Sequence, residues 1–274
     1  MEYSAGGGIM EEKALNEALI KGIDQLDSGD IKTAIATLEG YCRANASDAD
    51  GFFYCGDALA EDGRIEDAIA SYKAGLRLAP EDADALTTLG DLLFEAGKHD
   101  DAINCYKKVR DLDPEDADAL VSIGLVYSSL ERSKEAVASF RQALDLEPEN
   151  VFAWNALGDA LYGLEDVEGA VEAYRKSVEL DPEDPAAHFN LGELYYDIDE
   201  LEEAEEECLE AIRLDPLFTM AYLTLGGICM DQERFKESVS YFEQYLKCEK
   251  SPGAADMITE VKAVIEGLKE ELKG

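Results

Sequence analysis

Between residues 151 and 184 the apolar side chains recur at helical spacing twice over. Trp154, Leu157, Gly158 and Leu161 fall at i, i+3, i+4 and i+7, the spacing that puts residues on one face of a helix with about 3.6 residues per turn. The pattern breaks at Glu165–Asp166 and resumes with Val167, Ala170, Val171, Tyr174 and Val178. The segment therefore predicts two helices joined by a short turn. Pro182 ends the second, because proline lacks the N–H and clashes with the preceding turn. Asp184 then stands where a side-chain oxygen caps the next helix, and Asp48, Asp82, Asp116 and Asn150 hold the same place elsewhere.

The unit repeats without gaps. Pro80, Pro114, Pro148, Pro182 and Pro216 are 34 residues apart, and so are Gly22, Gly56, Gly90, Gly124, Gly158, Gly192 and Gly226. Twelve residues after each glycine comes a small residue: Ala34, Ala68, Ala102, Ala136, Ala170, Ala204, then Ser238. A fixed period of this length is the signature of stacked supersecondary units. Glycine inside a helix costs about 1 kcal/mol relative to alanine, so its recurrence implies a packing need. The expected need is close approach of the first helix to the second at the small residue. Larger residues mostly fill the next layer, from Leu38, Tyr72 and Tyr106 to Phe140, Tyr174, Cys208 and Phe242.

The chain resembles the tetratricopeptide repeat proteins. Their pattern, an aromatic-x-x-Leu-Gly-x-x-Tyr run followed by Ala, an aromatic, Ala and Pro, is matched here by Trp154, Leu157, Gly158, Leu161, Ala170, Tyr174, Ser177 and Pro182. The preceding unit matches it with Leu120, Ile123, Gly124, Tyr127, Ala136, Phe140, Ala143 and Pro148. Seven such units are expected over 15–252: 15–48, 49–82, 83–116, 117–150, 151–184, 185–218 and 219–252. The first is degenerate, with Ala18, Lys21 and Ala46 at pattern positions, and the last has Lys250 in place of proline. The resemblance implies an all-α, right-handed superhelical solenoid of helix-turn-helix repeats.

One undivided array is expected, since each repeat of a solenoid buries surface only against its neighbours. Residues 1–14, with Gly6, Gly7 and Gly8, read as a flexible tail in which Met10 is an alternative start. Residues 253–274 read as a capping helix with Met257, Val261, Ile265, Leu268 and Leu272 on one side and charges on the other. No run of 18 apolar residues suggests a membrane span, and the start of the chain lacks the basic and apolar regions of a secretory signal. Six cysteines occur with no Cys-x-x-Cys, and Cys55, Cys208 and Cys229 fall on core positions. Reduced, packed thiols in the cytoplasm are the plain reading. The Asn45-Ala46-Ser47 sequon then has no role, because glycosylation needs the secretory route.

Charge narrows the partners. Asp and Glu number 62 against 24 Lys and Arg, for a net charge of −38. Nucleic-acid binding is excluded by the absence of basic clusters of the required kind. The acidity fits three explanations: a surface kept soluble by its charge, a salty cytosol in which repulsion is screened, or a groove that attracts a basic partner.

In the resembled family the first helix of each repeat lines a concave groove. Carried over position by position, the inner face holds Phe53, Asp57, Asp91, Phe94, Phe152, Asn155, Asp159, Tyr162, Phe189, Glu193 and Tyr196. Carboxylates alternating with rings suit a peptide or protein segment with basic and apolar side chains, because carboxylates steer cations and rings supply buried area. Packing of any of these rings between repeats is the competing reading. The family's clamp for acidic C-terminal tails is not matched, since these positions carry no Lys or Arg.

An enzyme is not expected. His99 and His188 lack partners at metal-ligand or catalytic spacing. Asp48-Ala49-Asp50-Gly51 fails as a calcium loop, with glycine at the fourth place and Leu59 at the twelfth. No catalytic, metal or cofactor residue is assigned. The chain reads as a monomeric, cytoplasmic protein-interaction scaffold. The alternative is a non-catalytic subunit or assembly factor docked to an enzyme complex by its convex or terminal surface.

Overall fold

The computed structural model describes residues 6–273, with side chains from residue 17 onward. The tail expected over 1–14 lies outside the residues whose side chains are described, and the backbone of the first helix begins at Gly6. Helices follow one another as α1 (Gly6–Asp27), α2 (Ile31–Ala44), α3 (Ala49–Glu61), α4 (Ile65–Leu76), α5 (Ala83–Glu95), α6 (His99–Leu112), α7 (Ala117–Ser129) and α8 (Ser133–Leu146). They continue as α9 (Val151–Tyr162), α10 (Val167–Leu180), α11 (Pro185–Asp197), α12 (Leu201–Leu214), α13 (Thr219–Asp231), α14 (Phe235–Cys248) and α15 (Ala255–Glu271), the last preceded by a 3-10 turn over Pro252–Ala254. No strand occurs among the described residues. Each odd-numbered helix up to α13 packs on the helix that follows it. The chain groups into two compact units, unit 1 ending at Leu146 and unit 2 starting at Glu147. Nearest-neighbour packing permits this, because each unit closes its own hydrophobic core.

Local chemistry sets the helix ends. Asp82 Oδ1 accepts from the Ala85 N–H, Asp116 Oδ1 from that of Ala119 and Asn150 Oδ1 from that of Ala153, each at 2.9 Å. Asp48 and Asp184 accept from Asp50 and Ala186 in the same way. Each satisfies one of the amide donors a helix start leaves unpaired. The turn inside each hairpin needs a left-handed residue. Gly29, Gly63 and Gly97 supply it in the first three hairpins, at φ between 70° and 77°. Glu131, Glu165, Asp199 and Glu233 occupy the same place in the last four, at φ between 56° and 65°.

The interior of each hairpin corrects one expectation. The small residues Ala34, Ala68, Ala102, Ala136, Ala170, Ala204 and Ser238 are fully buried. Yet what lies over each repeated glycine is not the small residue but the side chain sixteen positions on. A Cβ added at Gly158 would sit 2.6 Å from Tyr174 Cε1, and one at Gly124 2.5 Å from Phe140 Cε1. Glycine therefore admits the edge of a ring. Where that residue is Cys208 instead of a ring, the second helix itself closes in, with the Cys208 backbone N at 3.2 Å from a Cβ at Gly192.

In unit 2 three side chains at one register tie the hairpins to the proline turns before them. Trp154 Nε1 donates to the Pro148 carbonyl at 2.8 Å and the Tyr222 hydroxyl to that of Pro216 at 3.2 Å. His188, buried, places Nε2 3.1 Å from the Pro182 carbonyl and Nδ1 2.6 Å from Glu207 Oε2. That arrangement makes His188 a packing residue. Cys55, Cys208 and Cys229 are buried free thiols. At the C-terminal end α15 lays Val261, Ile265 and Leu268 on Val239, Phe242 and Tyr245. Met257 and Leu272, expected on the same buried side, stay exposed because they lie at the two ends of that helix.

Candidate functional site

The first helices carry the candidate residues, and a hydrogen-bond pattern organises them. Within a hairpin a tyrosine of the second helix donates to an aspartate of the first. Tyr106 reaches Asp91 Oδ1 at 2.6 Å, Tyr174 reaches Asp159 Oδ1 at 2.5 Å, and Tyr72 makes the same bond to Asp57. Between successive hairpins of unit 2, Tyr162 donates to Asp197 Oδ2 at 2.7 Å and Tyr196 to Asp231 Oδ2 at 2.8 Å. Gly227 makes room for the latter, since a Cβ there would lie 2.9 Å from the Tyr196 hydroxyl. The spacings of 15 and 35 residues escape helical periodicity. Only the recurrence of Tyr and Asp at fixed registers signals them in the sequence.

In unit 1 the rings are largely engaged in packing. Phe53 stacks on Tyr72 with centroids 5.6 Å apart and fills the space over Gly75. Phe94 lies 5.5 Å from His99 in a tilted contact. Burial lifts the Asp57 carboxyl above its ordinary range, against the opposing effect of the Tyr72 hydrogen bond.

In unit 2 the candidates diverge. Phe189 turns into the core against Phe218, ring centroids 5.1 Å apart, and at 7% exposure offers no surface to a ligand. Packing wins at that position because Ala221 and Leu225 complete an apolar nest around it. Phe152 is instead exposed, and Asn155 keeps its Oδ1 buried without a hydrogen-bond partner. Asp159, Tyr162 and Glu193 converge with Tyr174, Asn190 and Asp197 around a cavity of about 70 Å³. No Lys or Arg lines it. Glu193 is held above the usual carboxylate range, first by desolvation and then by Asp197 and Asp159. Tyr196, beside this cavity in sequence and bonded to Asp231, is pushed up to about 12 by burial and that carboxylate.

Among the described residues no cluster of His, Cys, Asp and Glu could hold a metal ion, and no helix is long and apolar enough to cross a membrane. What the geometry defines is an array of helix hairpins whose first helices carry the candidate side chains. Sequence models described as tetratricopeptide repeats match residues 21–83, 59–122, 117–150, 185–218 and 221–250, and one described as TPR repeat matches 158–199. The chain belongs to the tetratricopeptide repeat family, with the all-α solenoid fold of that class.

No curated protein matches the chain. Among solved structures, a tetratricopeptide repeat protein from Parabacteroides merdae is 18% identical, aligns over 93% of this chain and 99% of its own, and has a TM-score of 0.69. MamA from Desulfovibrio magneticus is 26% identical over 61% of this chain and 95% of its own, at a TM-score of 0.56. YrrB, described as a TPR protein with an unusual peptide-binding site, is 23% identical over 67% of this chain and 95% of its own, at 0.53.

Proposed function

We propose that this chain is a non-catalytic protein-interaction scaffold whose first-helix face in unit 2 takes a basic side chain of a partner segment that also carries apolar residues. One observation carries the reading: Asp159, Glu193 and Asp197 meet at one cavity with the rings of Tyr162 and Tyr174 and with no cation among the lining residues. Tyr174 and Tyr162 each engage one oxygen of Asp159 and Asp197. The carboxylates keep lone pairs facing the cavity, and Glu193 makes no hydrogen bond among the described residues. Burial, then the charges of Asp197 and Asp159, hold the Glu193 carboxyl above its usual range, and an incoming Lys or Arg head group relieves the repulsion. A cavity of about 70 Å³ suits such a head group, not a whole residue. Exposed Phe152 supplies an apolar contact on the same unit. Free cysteines throughout the described chain support a reducing compartment such as the cytoplasm.

The test is a titration with a labelled peptide of alternating arginine and leucine, and with its glutamate counterpart, at low and high salt. The arginine peptide should bind and weaken with salt, and Glu193→Gln and Asp159→Asn should each lower its affinity about tenfold, or about 1.4 kcal/mol. Asn at 159 still offers a carbonyl to the Tyr174 hydroxyl, so the hairpin remains tied. Equal binding of the glutamate peptide, or unchanged affinity in both variants, would defeat the proposal.

A further inference from the structure

A cleft in unit 1 has lining of the reverse charge. Between α4 and α6, over the floor of α5, lies an open cleft of about 740 Å³, within the 300–1,000 Å³ usual for sites that enclose a small ligand or a few side chains. Four cations line it: Lys73 and Arg77 from α4, Lys107 and Lys108 from α6. Only two acids do, Asp101 and Asp111. In a chain with 62 acidic and 24 basic residues this local excess of cations inverts the global ratio. Arg77, Lys107 and Lys108 form no ion pair among the described residues, while Lys73 stands 3.9 Å from Asp101. Half-buried Leu76 and exposed Pro80 give the cleft an apolar wall, while Leu86, Leu89 and Leu93 beneath it are buried in the core. Lys73 of α4 and Lys107 of α6 are one repeat apart, and Arg141 of α8 follows at the same register, whereas α2 holds Glu39 there.

We infer that this cleft docks an acidic amphipathic segment of a second protein, its carboxylates on the lysines and arginine and an aliphatic side chain against Leu76 and Pro80. Charge complementarity and the apolar wall together select this occupant. A nucleic-acid backbone would answer the cations but leave the apolar wall of Leu76 and Pro80 unused. A purely aliphatic segment would leave the cations unanswered. The cleft in unit 1 and the cavity in unit 2 share no lining residue.

The probe is a short fluorescein-labelled peptide of alternating leucine and glutamate, read by anisotropy against the full chain. Binding should be salt-sensitive and should fall about tenfold or more in Lys107→Glu/Lys108→Glu. A control of equal net charge, Lys236→Glu/Lys262→Glu, should bind like the parent, and so should Glu193→Gln. Circular dichroism checks the fold, and Lys108→Glu alone serves if the double variant is not helical. The inference is overturned by absence of binding, by equal loss in the control pair, by loss in Glu193→Gln, or by an oligodeoxythymidylate that binds tighter than the peptide. Binding by self-association, seen as dimerisation in sedimentation that the peptide reverses, overturns the choice of a second protein as occupant.

Discussion

Gly158→Ala tests how the hairpins are built. The added Cβ would lie 2.6, 2.8 and 2.9 Å from Cε1, Cδ1 and Cζ of Tyr174. That ring is buried, and its hydroxyl is held by Asp159 at 2.5 Å. It cannot swing away without loosening a hydrogen bond to a charged acceptor, a bond of a kind that contributes about 1.5–3 kcal/mol. Overpacking adds about 1–3 kcal/mol, while the better helix propensity of alanine returns about 1 kcal/mol. The net expectation is a loss of about 2 kcal/mol. Gly267 on α15 is the control, because nothing lies within 4 Å of a Cβ there. Gly267→Ala should gain about 0.5–1 kcal/mol. Urea denaturation followed by circular dichroism measures both, and the slope must stay constant for the comparison to hold, since repeat arrays can lose two-state behaviour. In a Tyr174→Val background the sign at Gly158 should reverse, as the Cβ then fills space. If Gly158→Ala stabilises the parent chain as Gly267→Ala does, the ring is not what the glycine accommodates.

Three further outcomes are expected. Glu131→Gly and Glu165→Gly should each raise stability by about 1 kcal/mol, because both residues hold a left-handed backbone at φ 56° and 61° that costs a side-chain-bearing residue about 1–2 kcal/mol; unchanged or lowered melting points would contradict this. The raised Glu193 carboxyl favours the protonated form when folded, so its stabilising contribution is complete below the ordinary Glu range and is lost as pH rises through the raised value. Glu193→Gln should therefore flatten that part of the pH–stability curve and raise stability at neutral pH, and a steeper fall with pH in the variant would refute it. Truncation before Ala255 removes the cover over Val239, Phe242 and Tyr245 and should lead to aggregation visible by sedimentation, because terminal repeats need a polar cap; a truncated chain that remains monomeric with the parent's melting curve would deny α15 that role.

Much of the fold was legible because its determinants are local. Helical stripes, prolines after the second helix and Asp or Asn at the helix starts act within a few residues, and a fixed period makes each confirm the others. The left-handed turn falls on Gly29, Gly63 and Gly97 in three hairpins, while Glu131 and Glu165 hide the same conformation behind an ordinary residue type. The site was less legible. Phe189 and Phe152 both fall at inner-face places in the pattern, yet one is buried against Phe218 and the other exposed: Phe152 stands at the second place of its unit, exposed in most repeats, and Phe189 at the fifth, which turns inward.

The sequence by itself determined that helix hairpins repeat every 34 residues and where each begins and ends. Tertiary structure decided what the repeated positions touch. It set Tyr174 rather than Ala170 over Gly158, bonded Tyr162 to Asp197, and gathered Lys73, Arg77, Lys107 and Lys108 around one cleft. The reason is geometric. Residues about one repeat apart become neighbours only when hairpins stack, and the angle of stacking, which no single helix contains, selects which side chains meet and which charges are left to face a partner.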